Sequence, residues 1–138
     1  MCLTHALMDN DLSGQAAVKR ALDIGLSTIA DLTYTSALGM GQSELEDWYD
    51  STVIAPMLSA TFGTPTAHPM LTATNKKWSD RMKQLFQSSG KPWDDAIEMQ
   101  VKLAVARLVE STPATALLAA RKTAFDALVL SLEAKLKP

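Results

Sequence analysis

Acidic residues near the start of the chain have part of the spacing of a calcium-binding loop. The segment 9–14, DNDLSG, places oxygen-bearing side chains and a glycine at the first, third, fifth and sixth loop positions. The twelfth position, where a bidentate glutamate completes the coordination, is Arg20, and the eighth, usually β-branched, is Ala16. Because arginine cannot supply a cation ligand, the pattern is better explained as the N-terminal cap of the following helix.

Histidine and cysteine give no catalytic or metal-binding pattern. His5 and His68 are far apart, and neither has a cysteine cluster or a Glu-x-x-His pairing beside it. Cys2 is the single cysteine, so no intramolecular disulfide can form and a reducing compartment is expected. Nucleophile and phosphate-loop motifs are absent from the sequence. We therefore predict no catalytic residue, no metal ligand and no cofactor; a small-ligand pocket near His68 and Trp93 is one alternative.

Carboxylates concentrate at positions 44, 46, 47 and 50. Glu46 and Asp50 are four residues apart and would share a helix face, as paired catalytic acids can. Acidic side chains also favour the first turn of any helix, because they interact with the positive end of its dipole. This second explanation needs no ligand, so we assign the cluster to a helix start.

Positively charged side chains concentrate only between positions 76 and 91, with Trp78 and Trp93 nearby. Such a surface could hold the phosphate backbone and bases of a nucleic acid. Asp80 interrupts the charges and Trp78 falls on an apolar stripe, which favours an ordinary solvated helix face. Contact with nucleic acid therefore stays an alternative function. The residues of this basic segment are Lys76, Lys77, Arg81, Lys83 and Lys91.

The elements that would position these residues are predicted to be helices. A capping-box pattern starts at Ser43, Thr112-Pro113 is a typical helix start, and Gly39 and Gly90 are placed as stops. No sustained apolar-polar alternation and no Asn-Gly or Asp-Gly turn indicates a strand. The sequence thus predicts a single all-α domain, a bundle of four to five helices. These are expected at about 14–38, 43–60, 73–88, 93–110 and 113–136, with a long loop at 61–72 and a mobile N-terminal segment at 1–12.

Composition places the chain among ordinary globular proteins. It has 138 residues, of which 47% are hydrophobic and 20% charged, so one domain with its own core is expected. The formal net charge of −2 gives no general attraction to nucleic acid. The N-terminal residues lack the pattern of a secretory signal, and no continuous apolar span is long enough to cross a bilayer. We therefore expect a soluble, cytoplasmic protein.

The segment 94–136 contains no glycine and a single proline, and most of its positions are apolar. Two helices of this composition need more cover than the rest of a small domain can supply. Many of the positions are alanine, which tolerates exposure, so the larger side chains are the better candidates for an interface. We predict a non-enzymatic interaction or self-assembly module (an adaptor, inhibitor or assembly subunit) whose partner is another protein or a second copy. Its predicted interface residues are Leu117, Leu118, Phe125, Val129 and Leu132.

Overall fold

A computed structural model of the chain describes residues 5–136, so Cys2 lies outside the described part. The described chain is predominantly helical and includes a small two-stranded parallel sheet. Short 3₁₀ turns lie at Ile29–Asp31, Leu45–Trp48 and Ala119–Arg121. The regular elements are β1 (Ala6–Met8), α1 (Leu12–Asp23), β2 (Leu32–Tyr34), α2 (Ser51–Phe62), α3 (Pro69–Thr72), α4 (Trp78–Ser88), α5 (Asp95–Ser111), α6 (Pro113–Ala116) and α7 (Lys122–Leu136).

The first predicted helix, 14–38, is wrong in its second half. Asp11 caps α1, since its carboxylate accepts a hydrogen bond from the backbone N–H of Gly14 at 2.8 Å. The helix ends before Gly25, whose φ of 67° is a left-handed conformation that terminates a helix. The chain then turns back and forms β2, which pairs in parallel with β1. The described part of the supposedly mobile segment 1–12 therefore belongs to the folded domain.

The second predicted helix, 43–60, starts later than its sequence signal indicates. Ser43 is fully buried in an antiparallel backbone pair with Asn10 and caps no helix. The capping box is displaced by one residue and joins Glu44 to Asp47 at the start of the turn Leu45–Trp48, which is called the 3₁₀ turn from here on. Helix α2 begins only after this turn, because the residues before it are held by the N-terminal segment.

The predicted loop, 61–72, is shorter than expected. Helix α2 extends to Phe62 and ends at Gly63, which has a φ of 66°. The short helix α3 occupies the last four residues of the predicted loop, with Pro69 at its first position. The following helix, predicted to begin at 73, begins at Trp78.

Helices α2, α4 and α5 contribute most of the hydrophobic core. The expectation that one face of α4 points inward is confirmed, because its apolar side chains are at most 3% exposed. Helix α5 also follows its prediction closely, with Asp94 as the N-terminal cap. The core residues are Ile54, Ala55, Leu58, Leu71, Trp78, Met82, Leu85, Phe86, Val101 and Val105.

The last predicted helix, 113–136, is interrupted. Helix α6 stops at Ala116, and Leu117 and Leu118 adopt an extended conformation. The backbone N–H of Leu118 donates to the carbonyl of Trp48 at 2.9 Å, while Asp50 N–H donates to the carbonyl of Ala116 at 2.8 Å. These bonds replace helical ones, so α7 starts as a separate helix. No helix within residues 5–136 has both the length and the apolar character to cross a membrane.

Candidate functional site

Four charged side chains at the start of α4 form what we call the polar cluster: Glu44, Asp47, Lys77 and Arg81. The first turn of α4 has no side-chain cap of its own. A carboxylate oxygen of Glu44 accepts from the backbone N–H of Ser79 at 2.7 Å, and Asp47 accepts from the N–H of Trp78 at 3.1 Å. The acids of the 3₁₀ turn therefore cap a helix that begins about thirty residues later in the chain, where the positive end of the helix dipole favours them.

The two cations of the polar cluster are held in ion pairs. Arg81 pairs with Asp47, and the Lys77 ammonium lies 2.7 Å from Asp11 and 3.1 Å from Glu44. Burial lowers the pKa of Lys77, but the hydrogen bonds to the two carboxylates outweigh it and raise that pKa above its usual range. Both cations are therefore committed to internal contacts.

The basic segment is consequently divided between interior and surface. Lys77 and Arg81 face the acids of the 3₁₀ turn, whereas Lys83 is exposed. Lys76 and Lys91 are half-buried and form no ion pair among residues 5–136. Two of the five residues predicted to contact nucleic acid, Lys77 and Arg81, are therefore poor candidates, because a side chain already neutralised by a carboxylate attracts phosphate weakly.

Glu46 has a different environment from its acidic neighbours. It lies half-buried, and burial raises the pKa of its carboxyl group to about 7, although the positive charge of Lys102 opposes the shift. The predicted pairing of Glu46 with Asp50 on one helix face does not occur, because Glu46 belongs to the 3₁₀ turn. Asp50 instead caps α2 by accepting from the N–H of Thr52 at 2.8 Å.

The acids of the calcium-like segment accept hydrogen bonds from protein groups. Asp9 accepts from the backbone N–H of Leu45 at 3.1 Å, and Asp11 caps α1 and pairs with Lys77. The explanation of Asp11 as a helix cap is thus confirmed. Within residues 5–136, no group of three or more histidine, cysteine or carboxylate side chains is arranged to hold a metal ion.

His68 lines an open cavity of about 280 Å³ beside α2, but its ring nitrogens are engaged. Its Nδ1 accepts from the backbone N–H of Met70 at 3.2 Å, so the ring proton resides on Nε2, which lies 3.2 Å from the Ser88 hydroxyl. A histidine that donates to a hydroxyl cannot at the same time be its base. Trp93 does not line this cavity; it packs against Phe86, with ring centroids 4.9 Å apart.

Helix α7 carries an apolar row that we call the C-terminal stripe: Phe125, Val129, Leu132 and Leu136. The spacing of four, three and four residues puts these side chains on one face of the helix. None of the fifteen residues of α7 is buried. Phe125 and Leu132 are each 37% exposed and Leu136 is 76% exposed. Phe125 packs edge-on against Trp48, with ring centroids 6.3 Å apart.

Leu117 and Leu118, also predicted as interface residues, do not belong to this stripe. Both are half-buried in the extended segment before α7, and their backbone pairs with residues 48 and 49. The structure therefore brings together three of the five predicted residues and separates two. It also adds Leu136, whose spacing from Leu132 was available in the sequence.

Three further apolar residues are exposed and were missed by sequence reasoning. Leu26, Ile29 and Leu38 are between 77% and 81% exposed. The ammonium of Lys135 lies 2.6 Å from Asp31, so the end of α7 contacts the segment that carries Ile29. Leu26 and Ile29 fall within the predicted helix 14–38, which in fact ends before them.

Comparisons with known proteins assign no relative to this chain. No family model, no curated protein and no solved structure matches it. Its function is therefore argued from the geometry of its own residues.

Proposed function

We propose that this protein is a helical module that self-associates through the C-terminal stripe of α7. The observation that carries the proposal is the complete absence of buried residues from this helix. Leucine and phenylalanine side chains each gain on the order of 1.5–3 kcal/mol when they leave water completely. Leu136, which is 76% exposed, leaves most of that free energy unused, and Phe125 and Leu132, each 37% exposed, leave about a third of it. A facing apolar surface would recover this remainder.

A second copy of the chain is the occupant that the sequence of α7 favours. Symmetric dimers use the same patch on both subunits. In an antiparallel pair of α7 helices, Phe125 of one stripe would lie beside Leu136 of the other and Val129 beside Leu132, so the apolar row would cover itself along its length.

The proposal is tested by measuring mass in solution across micromolar concentrations by sedimentation velocity. The wild-type chain should shift from monomer to dimer as concentration rises, and Leu132→Glu or Leu136→Glu should move the transition to at least tenfold higher concentration. Met99→Glu is the matched control, because Met99 is 73% exposed on α5, away from the stripe. A wild-type protein that stays monomeric throughout, or an equal effect of Met99→Glu, would overturn the proposal.

A further inference from the structure

Arg121 is a buried cation for which the described residues supply no counter-ion. Its side chain is 7% exposed and forms no ion pair with any carboxylate in residues 5–136. Nη1 donates to the backbone carbonyl of Leu38, but Nε is buried without a hydrogen-bond partner. Taking a guanidinium out of water is costly unless a negative charge compensates it. The site is therefore electrostatically incomplete as the chain stands alone.

A second buried arginine lies on the wall of the same cavity. Arg81 is 6% exposed, and Arg81 and Arg121 both line a space of about 120 Å³ between the 3₁₀ turn, α3 and the segment before α7. Like Arg121, Arg81 has a buried Nε without a partner. Proteins bind phosphate and carboxylate groups with arginines that converge on one space, as Arg81 and Arg121 do on the wall of this cavity.

The single acid on this wall, Asp47, does not cancel the positive charge. One of its oxygens pairs with Arg81, and the other accepts from the backbone N–H groups of Glu44 and Trp78. Two arginines and one aspartate leave the lining with one net positive charge. The carboxylate oxygens of Asp47 already accept hydrogen bonds, whereas the buried Nε of Arg121 has no hydrogen-bond acceptor. An anion entering the cavity could supply that acceptor.

Hydroxyl groups complete the lining. Ser51, Thr72 and Thr74 border the cavity, and their hydroxyls make no hydrogen bond with other groups in the described chain. Ser51 is also the first residue of the twelve-residue helix α2, so the positive end of that helix dipole lies at the wall. These donors are of the kind that hold the remaining oxygens of a bound anion.

We propose that the cavity between Arg81 and Arg121 binds a small oxyanion, either a phosphate group or a carboxylate group. Its volume is below the roughly 300–1,000 Å³ of pockets that enclose drug-sized ligands, so it suits a single anionic group. Arg121 immediately precedes α7 and Arg81 lies in α4. The anion would therefore connect the C-terminal helix to the core.

The binding is tested on the whole chain by NMR of the arginine Nε–H groups, with inorganic phosphate and acetate as separate probes at constant ionic strength. The chain has four arginines, and Arg20 and Arg107 are exposed on α1 and α5. The signals of Arg81 and Arg121 should shift with saturation, while those of Arg20 and Arg107 should not. Saturation by phosphate, by acetate or by both identifies the class of oxyanion. A linear response of all four arginines to both probes would overturn the proposal.

Thermal denaturation provides the second measurement, with Arg121→Gln as the variant and Arg107→Gln as its control. The probe that saturates should raise the melting temperature of the wild type and of Arg107→Gln. In Arg121→Gln its affinity should fall about tenfold or more, the loss expected for a charge-assisted hydrogen bond. Equal stabilisation of all three proteins would indicate a general salt effect and would contradict the site. If Arg121→Gln does not fold, the wild-type NMR titration still decides.

Discussion

Helices α4 and α7 differ in burial in a way that their sequences do not suggest. Helix α4 has six buried residues among its eleven, including Ser79 and Arg81, whereas α7 has none among fifteen. Yet α7 is the more apolar of the two. The distinction lies in the partners, because the buried polar groups of α4 meet carboxylates from the 3₁₀ turn, while no side chain of α7 is enclosed by the rest of the domain.

The two helices therefore have different roles in the domain. Helix α4 is part of the internal structure, and its charges are neutralised where they are buried. Helix α7 is attached mainly near its two ends, through Phe125 against Trp48 and through Lys135 beside Asp31. Perturbing α4 should therefore change folding, and perturbing α7 should change association.

The largest expected effect comes from removing the acid that neutralises Arg81. Asp47→Ala leaves a buried guanidinium unpaired and removes an acceptor from the first turn of α4, so the free energy of unfolding should fall by about 3–5 kcal/mol. Asp80→Ala is the matched control, since Asp80 is an exposed acid in the same turn. Urea denaturation compares the two. A loss no larger than that of Asp80→Ala would show that the Arg81–Asp47 pair does not hold α4.

The next largest effect is expected at a buried leucine of α4, and a partly exposed leucine of α7 serves as its comparison. Leu85 of α4 is fully buried, and Leu85→Ala should lower the free energy of unfolding by about 2–5 kcal/mol. Leu132→Ala on α7 should lower that of the monomer by less, about 1–2 kcal/mol, because Leu132 is 37% exposed and so loses only part of a buried leucine's contacts. Chemical denaturation at low protein concentration measures both. Equal losses would mean that α7 is part of the folding core.

Local signals in the sequence predicted the parts of the fold that depend on neighbouring residues. Helix α5 lies within two residues of its predicted bounds, and Trp78 of the apolar stripe in α4 lies in the core. The row Phe125, Val129 and Leu132 also followed from helical spacing alone. Its role in association stays a prediction.

Contacts between distant residues explain what the sequence did not predict. Strands of three residues are too short for alternation to be detected, so β1 and β2 were missed. The interruption at Leu117 depends on backbone bonds to residues 48–50, far away in the chain. Arg121 carried no signal at all, because a cation inside an apolar helix pattern resembles an exposed polar position until its neighbours are known.

The pH dependence of folding should reveal the environment of Glu46. Its pKa is raised by burial from 4.5 to about 7, so the protonated carboxyl group favours the folded state. The resulting stability is fully present below the unfolded pKa and is lost as pH rises between the two values. At about 1.4 kcal/mol per pKa unit, the loss is on the order of 3 kcal/mol.

Glu46→Gln should abolish that loss. The variant should match the wild type near the unfolded pKa and exceed its stability at about pH 8, where the wild-type carboxylate is charged. Glu110→Gln on the exposed face of α5 is the control and should keep the wild-type profile. Parallel profiles for wild type and Glu46→Gln across this range would contradict the raised pKa.

The smallest of these effects distinguishes an internal cation from a surface one within the basic segment. Lys77→Gln removes a charge that Asp11 and the buried Glu44 both use, so the free energy of unfolding should fall by about 1–3 kcal/mol. Lys83→Gln, on the exposed side of α4, should change it by less than about 0.5 kcal/mol. The opposite outcome would be equal stability of the two variants together with an equal loss of salt-sensitive affinity for DNA or RNA. Lys77 would then belong to a nucleic-acid surface. The contrast between α4 as internal structure and α7 as interface would fail.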